Sequence, residues 1–456
     1  MMKKQKILFI AAMIIIVGVG LLSCKAPEVV RETVVETVTE TVEVEVEVEV
    51  EVASEEAAGC PTCGCDNEAC CDDGECGDLY CECSHNADMD EIDSFLLSIR
   101  EPWESLKSVM NVDWVGPLGE SPQLDNSIWL TKREVELLRA GKADGTPYTY
   151  CNAQNNTAGE YSLAMNAGPA SGLEVYMDYL GIELLASASA EFDPIKQKAD
   201  VESMVALNPD IIVGYATDPV TGAENFRPAV DAGIHLAFIS TVPDGYEYGK
   251  EFIGISTNNP WEEGITCAIA MNDLLGSEAN VGYVFYDDVY FVCNYLDEGF
   301  KAYGEENYDW TWYEEGFVAE PQAGEAAAAI LTRNPDVQGF YTTYMVPAMH
   351  IVAAITDAGR LDDVVVVTFG IDEPVLINLI QGGPVKAVVT DSPFLVGVNH
   401  AIQAAYALLD KPLEQPSFVV VPTAIIDLQN IREVWDAAMH LPMSDTLLQV
   451  LDDAGL

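Results

Sequence analysis

From Pro147 to its end the chain repeats one grammar: a helix-forming stretch, a Gly or Asn-Pro stop, then a short run rich in Val, Ile and Phe. This feature constrains the fold most. Short apolar runs alternating with helices are the pattern of parallel sheets whose strands are linked by helical crossovers. Tyr148–Gln154 reads as a strand, followed by a helical stretch ending in Met177–Leu185. Residues 199–216 read as helix, an Asn208-Pro209-Asp210 turn and a buried strand. Residues 226–240 repeat the pattern, with Asp231-Ala232-Gly233 as the helix stop. A second series runs through residues 279–286, 297–308, 326–343 and 350–370. Asn334-Pro335-Asp336 holds the place in it that Asn208-Pro209-Asp210 holds in the first. The echo predicts two similar α/β lobes, each a doubly wound parallel sheet.

The stretch before Pro147 is of another kind. Lys3, Lys4 and Lys6 precede an apolar run from Ile7 to Leu22, which ends in Leu21-Leu22-Ser23-Cys24. A basic start, an apolar middle and a small residue before the cut describe an export signal over residues 1–23. The apolar run is shorter than the roughly 20 residues a membrane span needs. A cysteine after the small residue resembles the lipobox of bacterial lipoproteins, which implies that Cys24 is diacylated and becomes the first residue of the mature chain. Residues 24–58 form an acidic tether in which Val alternates with Glu or Thr. Period two is a strand signal, but closely spaced glutamates repel one another, so an extended charged spacer is expected.

Residues 59–85 are cysteine-rich: Cys60, Cys63, Cys65, Cys70, Cys71, Cys76, Cys81 and Cys83. Export favours disulfides among them. A thiolate metal site on the same residues is the alternative. Cys151, Cys267 and Cys293 fall in apolar or helical surroundings and are expected to be buried free thiols. Residues 86–146 contain two helical segments, Asp90–Met110 and Leu130–Lys142, expected to pack on the main body.

The formal net charge of −54 repels phosphates, and no basic patch is present, so nucleic acid is excluded as a partner. No Gly-rich phosphate loop, H-E-x-x-H or G-x-S-x-G occurs. The five histidines are scattered, and His350 on an apolar helix reads as structural. An enzyme is therefore not expected, and no cofactor is implied.

Several pieces in order resemble the type I periplasmic binding proteins, sugar-binding branch, from about Thr146 onward. They are residues 192–213, 232–241, 253–264, 297–303, 356–372, 389–397 and 427–435. The resemblance implies two lobes joined by three crossings, with a ligand held in the cleft and handed to a membrane permease. It places the N-terminal lobe at 147–256 plus 391–420 and the C-terminal lobe at 257–390 plus 421–456.

In open parallel sheets ligands bind beyond the carboxyl ends of the strands. The candidates there are Asn155, Glu160, Tyr161, Ser240, Thr241, Asn294, Tyr344, Asp372 and Asp391. Asn155 and the neighbouring Asn156 also suit a turn. Tyr161 falls where the family often stacks an aromatic ring. Ser240-Thr241 stands where its sugar binders commonly carry Asp-Arg, and Tyr344-Met345 replaces an Asn-Asp. Tyr290 and Phe291 are expected to line the cleft or join the core. Asp391, at the third crossing, is the leading ligand candidate, with a helix N-cap as its other reading.

A cleft with Asn, Tyr and Asp but no arginine suits a neutral sugar or polyol, and an amine or a nucleoside after that. The expected protein is a monomeric, lipid-anchored receptor outside the cell membrane or in the periplasm. It would serve an ABC permease or, alternatively, signal to a membrane kinase or chemoreceptor.

Overall fold

The computed structural model describes residues 92–107, 112–116 and 118–456. The expected export signal and tether, with Cys24 and the eight clustered cysteines, lie outside the described residues. No helix among the described residues is long and apolar enough to cross a membrane.

Two sheets organise the chain. The first has strands β1 (Gln123–Leu124), β2 (Thr149–Gln154), β3 (Glu183–Ser189), β4 (Ile211–Gly214), β5 (His235–Ile239), β6 (Ile255–Asn258) and β12 (Phe418–Val421). They lie in the order β1-β12-β6-β5-β4-β2-β3, all parallel. The second has β7 (Asn280–Tyr286), β8 (Thr311–Phe317), β9 (Gly339–Thr342), β10 (Val365–Phe369), β11 (Val385–Thr390) and β13 (Ala424–Ile426). Its order is β13-β11-β10-β9-β7-β8, and only β13 runs antiparallel. Central strands such as β4 and β10 are continuous apolar runs because helices cover both faces.

The chain passes between the sheets three times: after Asn258, between Thr390 and Pro393, and between Val421 and Ala424. The first sheet thus keeps its strand two residues beyond the expected boundary at 256/257, and Asp391 lies in the second crossing and not in the third.

The Asn-Pro-Asp echo has the same job in both lobes. Asp210 Oδ2 accepts from Thr149 N at 2.8 Å and from Thr149 Oγ1 at 2.9 Å, at the first residue of β2. The Asp336 carboxylate accepts from Asn280 Nδ2 at 3.2 Å, at the first residue of β7. In each lobe the aspartate ties the start of one strand to the start of its neighbour.

Two expectations need correction. The helical stretch through Met177–Leu185 is a helix, Gly172–Tyr179, followed by a turn and the edge strand β3. Gly181, at φ 72°, makes the turn, a conformation glycine adopts without steric cost. The segment 86–146 does carry helices, Ser94–Glu104 and Lys132–Ala140, but it also supplies β1, which extends the first sheet beside β12. Of the three cysteines that follow the cluster, Cys151 and Cys267 are buried and free, whereas Cys293 is only half-buried.

Candidate ligand cleft

Groups beyond the carboxyl ends of the two sheets meet at three places, two of them between the lobes and one between lobe 1 and the second crossing. The Tyr161 hydroxyl, in the lobe 1 helix Glu160–Met165, donates to Asp391 Oδ2 at 2.9 Å. Tyr215, just past β4, and Tyr290, before the lobe 2 helix Phe291–Asn307, share a hydroxyl contact of 2.6 Å. Glu373 N, at the start of the lobe 2 helix Glu373–Ile380, donates to Glu160 Oε2 at 3.1 Å. The lobes are therefore in mutual contact across the cleft.

Lobe 1 holds its wall rigidly through buried amides. Asn152 Nδ2 donates to Asn166 O at 2.8 Å. Gln154 also bonds both Asn152 and Asn166. These bonds fix the end of β2 to the end of the Glu160–Met165 helix, and so fix Tyr161. In lobe 2 the buried Asp297 does the corresponding work. It accepts from Tyr286 N at 2.8 Å, Tyr341 Oη at 2.8 Å and Thr343 Oγ1 at 3.0 Å. Burial nevertheless pushes its carboxyl up to about 7.

The cleft is strongly acidic. Asp391 is fully buried, and loss of water raises its carboxyl to about 7 against the opposing bond from Tyr161. Beside it is Glu263, in the first turn of the helix Pro260–Leu275, also fully buried and accepting from Asn258 Nδ2 at 2.6 Å. Burial, then the charge of Asp391, pushes Glu263 well above the usual carboxylate range. Burial raises Glu160 to about 7 and Asp372 to about 6. Among the described residues, no positive charge acts on these four. One oxygen each of Asp391, Glu263 and Asp372 is buried without a hydrogen-bond partner.

The other candidates divide. Ser240 Oγ bonds Thr257 Oγ1 at 2.7 Å, and Ser240 sits at φ 53°, a backbone conformation a non-glycine residue adopts only at a cost. Thr241 is buried beside Tyr290. Asn155 approaches Tyr215, yet its Oδ1 also accepts from Asn156 N at 2.6 Å, and Asn156 Oδ1 from Ala158 N at 3.1 Å, so the turn reading holds for both. Asp391 is not the helix cap: Ser392 Oγ accepts from Leu395 N and caps the helix Pro393–Leu408, leaving Asp391 to the cleft.

Two candidates bond within lobe 2, and Phe291 takes the core alternative. Asn294 accepts from Tyr290 N at 2.9 Å and donates to Asp288 O at 2.9 Å, so it shapes its own loop. Tyr344 donates to Glu320 Oε1 at 3.3 Å within lobe 2. Phe291 turns to Trp114, Tyr295 and Phe418. Tyr215 and Glu263 were missed. Tyr215 carried a usable signal, since it directly follows a strand of a parallel sheet. Glu263 carried none, because a glutamate in a first helical turn is usually a solvated partner of the helix dipole.

Two α/β lobes, three crossings and a polar cleft between strand ends define a two-lobed binding protein. A family model described as a periplasmic binding protein domain matches residues 161–412. The chain belongs to that family, one of binding proteins and not of enzymes.

Solved structures share the fold at low identity. An ABC transporter solute-binding protein from Agrobacterium vitis, bound with α-D-tagatopyranose, is 19% identical with a TM-score of 0.56, over 64% of this chain and 98% of its own. An arabinose-binding protein from Geobacillus stearothermophilus is 17% identical with a TM-score of 0.56, over 62% and 98%. A solute-binding protein from Bacillus halodurans with bound myo-inositol is 17% identical with a TM-score of 0.55, over 65% and 100%. No curated protein sequence matches this chain.

Proposed function

We propose that this is an exported, lipid-anchored receptor that holds a small sugar or polyol in its cleft and passes it to an ABC importer. The observation that carries the reading is the set of contacts across the cleft made by hydroxyls and carboxylates at Tyr161, Asp391, Tyr215, Tyr290 and Glu160. A ligand with several hydroxyls can replace each of these contacts by one to itself, and carboxylates are strong acceptors for hydroxyl donors. The ligands bound in two of these fold neighbours, tagatose and inositol, are of this class. The lipobox-like Leu21–Cys24 supports retention near the permease.

Four cleft carboxylates with no positive charge among the described residues acting on them favour a second reading, a ligand that also carries an amine. Thermal-shift screening of the protein tests both. D-tagatose, L-arabinose, D-allose and myo-inositol stand against glucosamine and spermidine, since a ligand bound only by the native form raises the midpoint by mass action. A rise with a neutral sugar or polyol supports the first reading. A rise confined to the amines transfers the function to the second.

A further inference from the structure

The segment ahead of the two lobes is bound to the hinge itself. Its helix Ser94–Glu104 is capped by Asp93, which anchors it to lobe 1 by accepting from Tyr179 Oη at 2.7 Å. Arg100, almost fully buried, donates to Asn399 Oδ1 of lobe 1 at 2.8 Å and to Ile128 O at 2.9 Å. From that platform two indoles reach the crossings. Trp103 Nε1 donates to Pro422 O, in the third crossing, at 3.1 Å. Trp114 Nε1 donates to Asn259 Oδ1, in the first crossing, at 2.9 Å.

Trp114 also touches both lobes at once. Its ring centroid lies 5.7 Å from that of Phe418 in lobe 1, edge to face. It lies 5.4 Å from Tyr295 and 6.3 Å from Phe291, both in the first turns of the lobe 2 helix Phe291–Asn307. The residue before that helix is Tyr290, which meets Tyr215 across the cleft. Opening the cleft must pull Tyr290 from Tyr215, and the helix that moves with it carries Phe291 and Tyr295 against Trp114. The same ring would have to leave Phe418 or slide on the other two. Its contacts belong to the closed arrangement.

We propose that residues 92–107, 112–116 and 118–131 brace the hinge from outside the cleft, with Trp114 a positioning residue that sets the balance between closed and open lobes. The proposal rests on the reading of the molecule as a two-lobed receptor. A ligand that needs the closed form binds with an apparent affinity reduced by the fraction closed. A residue that touches no ligand thereby adjusts affinity.

The test needs no known ligand. The Glu373 amide sits at a helix start, where no intrahelical partner exists, and is bonded only across the cleft to Glu160. Its hydrogen exchange reports closure. Exchange in the full-length protein is read at single-amide resolution by mass spectrometry with electron-transfer fragmentation. Trp114→Ala is expected to speed exchange at Glu373 about tenfold, while amides inside β4 and β10 keep their protection. Trp114→Phe, which keeps a ring but loses the bond to Asn259, is expected to fall between. Tyr295→Leu removes the facing ring from lobe 2 and gives the same selective change, and it decides the matter should Trp114→Ala not fold.

Unchanged exchange at Glu373 in these variants overturns the brace. So does faster exchange that extends equally to β4 and β10, the mark of general destabilisation. Myo-inositol and D-allose added to the same samples report on the sugar reading separately. Failure of both to protect Glu373 in the wild type counts against that reading and leaves the comparison of variants intact.

Discussion

Stability of this protein should fall as pH rises through neutrality, and Asp391 should account for a measurable share. Its carboxyl is fully buried, accepts one bond from Tyr161, and faces Glu263 with no cation among the described residues acting on it. Burial lifts it from the ordinary 3.8 to about 7. Between those values the closed native form holds a proton that the unfolded chain has released. The native state therefore loses stability as pH rises across this window and is most stable below it. The loss runs at up to about 1.4 kcal/mol per pH unit inside this window. Asp297, Glu160 and Asp372 act in the same direction, as does the self-repulsion of a chain of charge −54.

The specific share is isolated by Asp391→Asn, which is close in shape and carries no charge at any pH. Urea unfolding of wild type and variant at pH 5 and pH 8 measures it. The stability of the variant relative to the wild type should rise by about 3 kcal/mol from pH 5 to pH 8, about two units of the window at about 1.4 kcal/mol each. Equal pH dependence in the two proteins would refute the reasoning, because Asp391 would then be ionised at no cost. The same carboxyl discriminates ligands. A neutral sugar that leaves Asp391 buried leaves its proton in place, whereas a bound ammonium displaces it. Calorimetry in two buffers of different ionisation enthalpy reads the proton directly.

The fold was legible because its cause is local and repeated. Val and Ile runs bounded by Asn-Pro-Asp or Gly stops can be satisfied only by strands buried on both faces, and each lobe repeats the solution. Where the repeat is interrupted, the reading slipped. Leu184 and Leu185 continue an apolar helical pattern, yet they are partly exposed on the edge strand β3, and only Gly181 marks the change. The cleft was legible as far as strand ends could be counted, which found Glu160, Tyr161 and Asp391. It failed where a side chain's direction depends on its neighbours. Asn294 and Asp391 both look like polar residues beside a helix start. The loop at 286–290 consumes one, and Ser392 takes over the capping that would have consumed the other. Phe291 stayed open between cleft and core because its partner, Trp114, lies far away in sequence, in a segment whose role no periodicity reveals.

Tyr161→Phe should weaken cleft closure and ligand binding by about 1–3 kcal/mol, the cost of leaving a buried acceptor at Asp391 unpaired; calorimetry with the ligand found by screening measures it. Cys24→Ala should abolish metabolic labelling with a fatty acid, and equal labelling of both proteins would remove the lipid anchor from the account. If disulfides hold residues 59–85, the exported protein should weigh eight hydrogens less than its reduced form, and stoichiometric zinc with free thiols would favour the metal alternative. Gly264→Ala should lower stability sharply. In lobe 2 the helices Pro260–Leu275 and Phe291–Asn307 meet where Gly264 faces Leu296 and Gly299 faces Trp261. A Cβ on Gly264 would overlap the Leu296 carbonyl oxygen and approach Phe300 N to 2.5 Å. Both are backbone atoms of a helix and cannot swing aside, so the helices must separate and give up packing, at about 1–3 kcal/mol for an overpacked core. The separation would also displace Glu263, one residue away, and Tyr290 at the head of the second helix. Gly264→Ala should therefore lose ligand affinity as well as thermal stability, while Gly276→Ala, beyond the same helix with nothing within 4 Å of its added Cβ, should cost only the strain of its φ of 85° and leave affinity alone. Equal losses of affinity in both variants would show that helix spacing does not set the cleft.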